Sequence, residues 1–258
     1  MPMLYFLQLL FLVAGVNSSV IQQNLIGGKG CTRNERHHQA WVFQKRSEGK
    51  ESFCGGTLIH MNWVLTAGHC YNKNIAGTVS VWAGVHPNKT FQKFNIKSGD
   101  IHVYDVTQDT GDIMLIKLPG SVSGITPAQL PGSSCQTPSN GEKLQLAGHG
   151  STVDPNGHPE RNRRLQCLDL KVRDCNFWNE TVVSNYFCGG LHKKAFTCPG
   201  DSGGGWLKKR FRRTGVIYGV LSGRFHYQNG SCTTNSRFTS VCAPLIRKWI
   251  NDTMTNHM

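Results

Sequence analysis

Residues 56–67 read GTLIHMNWVLTA, a short, largely apolar run, and the chain repeats that theme. AWVFQ (40–44), TVSVWAGV (78–85), IMLIKL (113–118), KLQLAG (143–148), LQCLDLKV (165–172), GVIYGVL (215–221) and FTSVCA (238–243) are of the same kind. Turn-rich stretches such as PGSSCQTPSNGEK (131–143) and DPNGHPERN (154–162) separate them. Short apolar or alternating runs bounded by Gly, Pro, Asn and Ser predict an all-β sandwich or barrel. Only APLIRKWINDTM (243–254) reads as a helix, with Leu245, Ile246, Trp249 and Ile250 at helical spacing.

The chain of 258 residues is long enough for one large domain or two small ones. Residues 1–24 carry no charged side chain and include MLYFLQLLFLVAGV, the length of a signal-peptide core and too short for a membrane span. Cleavage is expected after Ser18, with Val16 at the third position back. No other segment is apolar enough to cross a bilayer. The ten cysteines are an even number with no C-x-x-C pair, which favours disulfides in an oxidising compartment over a zinc site. Sequons at Asn88, Asn179, Asn229 and Asn251 fit a secreted glycoprotein surface.

Lys and Arg number 28 against 15 acids, and the net charge of +13 favours anionic partners. The densest cluster is KKRFRR, with Lys208, Lys209, Arg210, Arg212 and Arg213. It reads either as a solvated hairpin tip or as a glycosaminoglycan or membrane-surface site. No nucleic-acid motif accompanies it, so nucleic acid is not an expected partner.

Four stretches carry chemistry. TCPGDSGGG (197–205) sets Ser202 among glycines, either an ordinary loop or a backbone shaped to present a hydroxyl and free N–H groups. TAGHC (66–70) follows an apolar run with His69, GDIMLIKL (111–118) opens with Gly111 and Asp112, and LIGG (25–28) stands near the expected mature start. Alone, each of these residues reads as a surface histidine, a turn acid or a glycine loop. Together, in the order His, Asp, Ser, they resemble the chymotrypsin-like, trypsin-fold serine peptidases over residues 25–250.

That resemblance implies two six-stranded antiparallel β-barrels with a C-terminal helix and the active site between them. It implies a signal peptide at 1–18, a propeptide at 19–24 and a peptidase domain at 25–258. His69, Asp112 and Ser202 would be catalytic, and the N–H groups of Gly200 and Ser202 would form the oxyanion hole. A new amine at Leu25 would pair with Asp201 on activation. Disulfides Cys31–Cys167, Cys54–Cys70, Cys135–Cys242, Cys175–Cys188 and Cys198–Cys232 are implied, while Leu144 and Lys208 stand where relatives have another bridge. Phe196, Thr197, Ser222 and Arg224 would shape the substrate pocket. The expected partners are protein or peptide substrates and protein protease inhibitors, and the expected state is a secreted or granule-stored monomer. No cofactor or metal is expected, and GVHPNKTFQ (84–92) lacks the acids of a calcium loop.

Several positions depart from the family pattern. Asn24, not Arg or Lys, precedes the expected cut. Phe196 stands where trypsin has its pocket acid, which predicts weak or absent preference for Lys and Arg. Arg224 stands where glycine usually keeps the pocket mouth open; it would block the pocket, pair with an acidic substrate, or point into solvent. Gly68, His149 and Gly205 replace the usual alanine, tryptophan and proline without removing a catalytic group. Two functions are consistent with this pattern: an active endopeptidase of non-tryptic or restricted specificity, or a cationic binding protein on a protease scaffold.

Overall fold

The structure is a computed structural model that describes residues 28–87, 91–104, 111–153, 159–161, 164–175, 185–190, 197–210, 213–222 and 235–257. The N-terminal half holds β2 (Gln39–Arg46), β3 (Glu51–His60), β4 (Trp63–Thr66), β5 (Gly77–Ala83), β6 (Gln92–Ile96), β7 (Ile101–Val103) and β8 (Met114–Lys117), preceded by β1 (Lys29–Gly30). The C-terminal half holds β9 (Lys143–Gly148), β10 (Ser151–Val153), β11 (Pro159–Arg161), β12 (Gln166–Arg173), β13 (Tyr186–Gly190), β14 (Gly205–Arg210), β15 (Arg213–Leu221) and β16 (Asn235–Ser240). The helix α1 (Pro244–Asn256) ends the described chain.

In the C-terminal half, β9 pairs with both β12 and β14, which closes the ring β9–β12–β13–β16–β15–β14 into a six-stranded barrel. The closing register sets Leu168 opposite Leu146 and Leu170 opposite Leu144. With Trp206, Phe187 and Phe238 these leucines fill the barrel interior. Phe187 and Trp206 stack at 5.1 Å, and Trp206 and Phe238 at 4.1 Å. Leu144 is thus core where a bridge cysteine was a family option.

The N-terminal half is a curled seven-stranded sheet in the order β6–β5–β2–β3–β4–β8–β7. This sheet is the curled half-barrel counterpart of the closed one, and its outer strands β6 and the three-residue β7 do not pair with each other among the described residues. Strand β2 is apolar on both faces. Ala40 and Val42 join the interior, while Trp41 and Phe43 meet Phe53 and Trp82 on the other side. That second aromatic layer is why the sequence does not alternate cleanly between apolar and polar.

Helix α1 packs back onto the N-terminal core through Ile246 and Ile250, both essentially inaccessible. Pro244 occupies its first turn, where a missing N–H costs nothing. The buried positions Ile246, Ile250 and Thr253 follow i, i+4, i+7 spacing. Trp249 is only partly buried, its ring 5.4 Å from Tyr104. Leu245, expected on the apolar face, is 62% exposed because it sits one residue off that stripe. Each buried isoleucine contributes roughly 1.5–3 kcal/mol. Ile246 also presses on Gly111, where an added Cβ would come within 2.9 Å of its Cδ1, so the helix backs the segment that carries Asp112.

Four disulfides join described residues: Cys31–Cys167, Cys54–Cys70, Cys135–Cys242 and Cys175–Cys188. Cys198 is disulfide-bonded too, and Cys232 lies outside the described residues. No described helix is long and apolar enough to cross a membrane.

Candidate active site

His69 lies in a single 3-10 turn, Gly68–Cys70, directly after β4. The Cys54–Cys70 bridge ties this turn to β3. Asp112 stands just before β8, the strand paired with β4, so sheet register brings the two residues together across 43 positions. His69 Nδ1 and Asp112 Oδ2 are 2.7 Å apart, and the His69 backbone N–H donates to Oδ1 at 2.8 Å. Ser222 Oγ donates to Oδ2 as well, at 2.7 Å. Asp112 is 1% exposed, whereas the His69 side chain is 33% exposed. Burial works to raise the Asp112 pKa, but the bonds from His69 and Ser222 and the His69 charge hold it below the usual carboxylate range. This carboxylate orients the ring and stays ionised.

Ser202 occupies the turn before β14 and is 7% exposed. Its carbonyl accepts from Gly55 N–H at 2.7 Å, beside the Cys54 that is bridged to Cys70. Gly203 N–H donates to Leu221 O at 2.8 Å, next to Ser222. The serine is thus fastened to both halves, one tie leading to the His69 turn and the other to the Ser222 that holds Asp112. No hydrogen bond joins Ser202 to His69 among the described residues; Nε2 lies 3.9 Å from Cys70 Sγ. Such bonds are often long before substrate arrives.

The glycines around Ser202 are there for steric reasons. Gly200 and Gly203 have φ of +91° and +78°, a region that favours glycine. A Cβ on Gly203 would stand 2.2 Å from Thr66 Oγ1 and 2.4 Å from Gly55 O. Among the described residues, the N–H groups of Gly200 and Ser202 have no acceptor. Gly203→Ala is expected to break the Ser202–Gly55 tie and cost roughly 2–4 kcal/mol, from overpacking plus left-handed strain. Thermal unfolding would register this as a midpoint lowered by about 5–15 °C. An unchanged midpoint would mean the tie is dispensable.

Asp201 is fully buried. Its Oδ1 accepts from Gly150 N–H at 2.8 Å and its Oδ2 from Cys198 N–H at 2.9 Å. Burial pushes its pKa up to about 7 in spite of those two donors. Gly148 leaves the room: a Cβ there would sit 2.1 Å from Asp201 Oδ1. His149 accepts from Trp41 Nε1 at 2.8 Å, so the residue that replaces the usual tryptophan is locked onto β2.

Of the expected pocket residues, Thr197 is buried and bonded to Ser236 Oγ at 2.9 Å. The Ser222 side chain is spent on Asp112, a role its place in GVIYGVLS did not reveal. Phe196 and Arg224 lie outside the described residues, as do Leu25, Asn88, Asn179, Asn229 and Arg212. Asn251 is exposed on α1. In the basic cluster, Lys208 Nζ meets Glu142 at 3.0 Å and Lys209 Nζ meets Glu35 at 2.8 Å, while Arg210 and Arg213 are backbone partners in the β14–β15 ladder. Cys54, His69 and Cys70 place ligand-type atoms within 4.8 Å of one another, but the two sulfurs are bonded to each other and are not thiolates free to hold a metal.

The family described as Trypsin has a sequence model that matches residues 25–250. The chain belongs to the trypsin family of serine-type endopeptidases. It is 30% identical to Kallikrein-2 of Homo sapiens, with 91% of each chain covered. It is also 30% identical to Trypsin-3 of Salmo salar, over 90% of this chain and 94% of that one. Granzyme M of Rattus norvegicus is 29% identical over 82% of this chain and 81% of its own. A solved structure titled "Structure of GrC" superposes with a TM-score of 0.71 at 26% identity, covering 89% of this chain and 99% of that one. Trypsin-family membership agrees with the strand topology, the terminal helix and the disulfides.

Proposed function

We propose that this trypsin-family member is a secreted endopeptidase that works through Ser202, His69 and Asp112, with a preference other than Lys or Arg before the scissile bond. The observation that carries the reading is the buried Asp112 carboxylate, which accepts from the His69 N–H and the Ser222 hydroxyl and lies 2.7 Å from His69 Nδ1. With Nδ1–H committed to Asp112, Nε2 is left as the base. It takes the Ser202 proton as Oγ attacks the substrate carbonyl, and returns it to the leaving amine to give an acyl-enzyme. Water then repeats the cycle and frees the acid. Gly200 and Ser202 N–H groups receive the developing oxyanion, each contributing about 2.7–4 kcal/mol.

Cleavage after Asn24 would supply a Leu25 amine as counter-charge for Asp201 and so order the Gly200–Ser202 turn. Phe196 leaves a cationic substrate side chain without a partner, and Arg224 favours acidic or small residues. The disulfides and the apolar N-terminal run fit secretion. Protein inhibitors of serine peptidases are expected partners, and a monomer is the expected state.

The test is a fluorophosphonate probe applied to protein whose N-terminus is Leu25. Labelling mapped to Ser202 is expected, followed by peptide-library cleavage in which Lys and Arg at the bond are at least tenfold poorer than the best acidic or apolar residue, as a pocket without counter-charge dictates. Folded, processed protein that takes no label would replace this reading with that of a cationic binding scaffold.

A further inference from the structure

A groove lies at the seam between the two halves, lined from Asn34–His38 on one side and from Gln145 and Leu207 on the other. The turn from Thr32 to His38 is pinned by Glu35, whose carboxylate accepts from Thr32 N–H at 2.8 Å. Arg36 follows with φ of +58°, a left-handed conformation uncommon outside glycine and a sign of local strain. Its side chain is 6% exposed and enters the C-terminal half. Nε donates to Gln145 Oε1 at 3.1 Å, Nη1 to Gly205 O at 3.3 Å, and Nη2 to Gln145 O. All of these acceptors are neutral, and Arg36 forms no ion pair among the described residues. Burial lowers its pKa to about 9, so it remains a cation at neutral pH.

Two residues on, His38 is 4% exposed, and neither ring nitrogen has a hydrogen-bond partner among the described residues. A buried imidazole without partners is costly, and so is a buried cation whose nearest carboxylates, Glu35 and Asp169, favour its charge from beyond ion-pair distance. Both line one groove of about 680 Å³. Half of its other lining residues carry amides or hydroxyls, among them Asn34, Gln145, Thr126 and Thr214; Glu35, His37 and Leu207 line it too. Lys209 stands at the rim, its charge shared with Glu35 at 2.8 Å, so Arg36 leaves the groove net positive. None of His69, Asp112 and Ser202 lines it.

A groove of this size accommodates a small organic ligand, but ligand pockets of that size are ordinarily lined by apolar and aromatic groups. This lining suits a hydroxyl-rich molecule that carries negative charge. We infer that the groove binds an acidic saccharide unit. Its carboxylate or sulfate accepts a hydrogen bond from His38 and neutralises the Arg36 guanidinium, which has two further N–H donors to offer. Its hydroxyls meet Gln145 and Thr214, and a longer chain leaves past Lys209 towards the β14–β15 hairpin. The inference is independent of the catalytic reading, since Ser202→Ala protein should bind the saccharide unchanged.

Calorimetric titration of the full chain with a heparin-derived hexasaccharide tests it, run beside a desulfated, carboxyl-reduced hexasaccharide and sodium sulfate. The acidic hexasaccharide is expected to bind at least tenfold more tightly than either. Thr214→Trp fills the groove from a partly exposed position, and His38→Gln removes the imidazole while keeping a polar group. Each should weaken binding at least tenfold, whereas Lys248→Ala on α1 should change it less than twofold. Thr214→Trp should retain the unfolding midpoint and basal activity of the parent, which separates a filled groove from a failed fold. Binding that survives Thr214→Trp would place the saccharide on the hairpin and overturn the inference. Sulfate ion held as tightly as the hexasaccharide, or no binding at all, would overturn it equally.

Discussion

Asp112→Asn is expected to lower kcat about 10⁴-fold at neutral pH while the fold stays intact. The cause is tautomeric. The His69 backbone N–H donates to Oδ1, so the asparagine oxygen must take that place. The amide NH₂ then faces both the Ser222 hydroxyl and His69 Nδ1, where Oδ2 had accepted. A donor at that point forces Nδ1 to become the acceptor and puts the imidazole proton on Nε2. That nitrogen can no longer take a proton from Ser202. Ser222 can turn its hydroxyl to accept from the new amide, so no buried group is left orphaned. Steady-state kinetics on a peptide ester, with circular dichroism as the control for folding, would check it. A loss smaller than tenfold would mean that His69 does not depend on Asp112 and that the base is elsewhere.

Asp201 offers an effect on stability of comparable weight. Its pKa stands at about 7 in the folded chain against an ordinary 3.8, which corresponds to about 4 kcal/mol. For an acid whose folded pKa is raised, the stability present below pH 4 is lost as pH climbs through 7. Asp201→Asn removes that titration. Between pH 5 and pH 8 the stability of the variant should therefore gain about 2–3 kcal/mol on the parent, measured by urea unfolding of the unprocessed chain. His38, buried and held at about 3, slopes the other way as pH rises to 6.5, but it does so in both proteins and cancels. Processing to Leu25 should abolish the gain, because an ammonium partner lets the carboxylate ionise without penalty. A gap that stays flat with pH would show that Asp201 is ionised throughout.

Much of this site could be read from the chain because its parts are local. GDSGG carries the glycines that Ser202 needs, and TAGHC carries a histidine beside the cysteine that pins it. What stayed hidden depends on partners far apart in sequence. Ser222 and Asp112 are 110 positions apart, Asp201 and Gly150 are 51 apart, and the lysines of KKRFRR meet acids 66 and 174 positions away. Strand runs announced an all-β chain, but not that β9 would bond on both sides and close the C-terminal ring. The same limit applies to Leu245, which shares helical spacing with its neighbours yet misses the buried stripe by one residue.

Among the described residues only the C-terminal ring closes, which divides the proposed catalytic groups between surroundings of unequal permanence. Ser202 precedes β14, a stave of a ring that offers no terminal strand to peel. Asp112 precedes β8, whose outer neighbour is the three-residue β7, and His69 follows β4, the next strand in. Amide hydrogens should exchange soonest along β6 and β7, and β8 is the next strand exposed when β7 lets go. Transient openings of that kind would separate the base from the nucleophile while the ring keeps its shape. If the triad works as proposed, the hold of β7 on its edge is expected to limit working lifetime before the molecule melts as a whole.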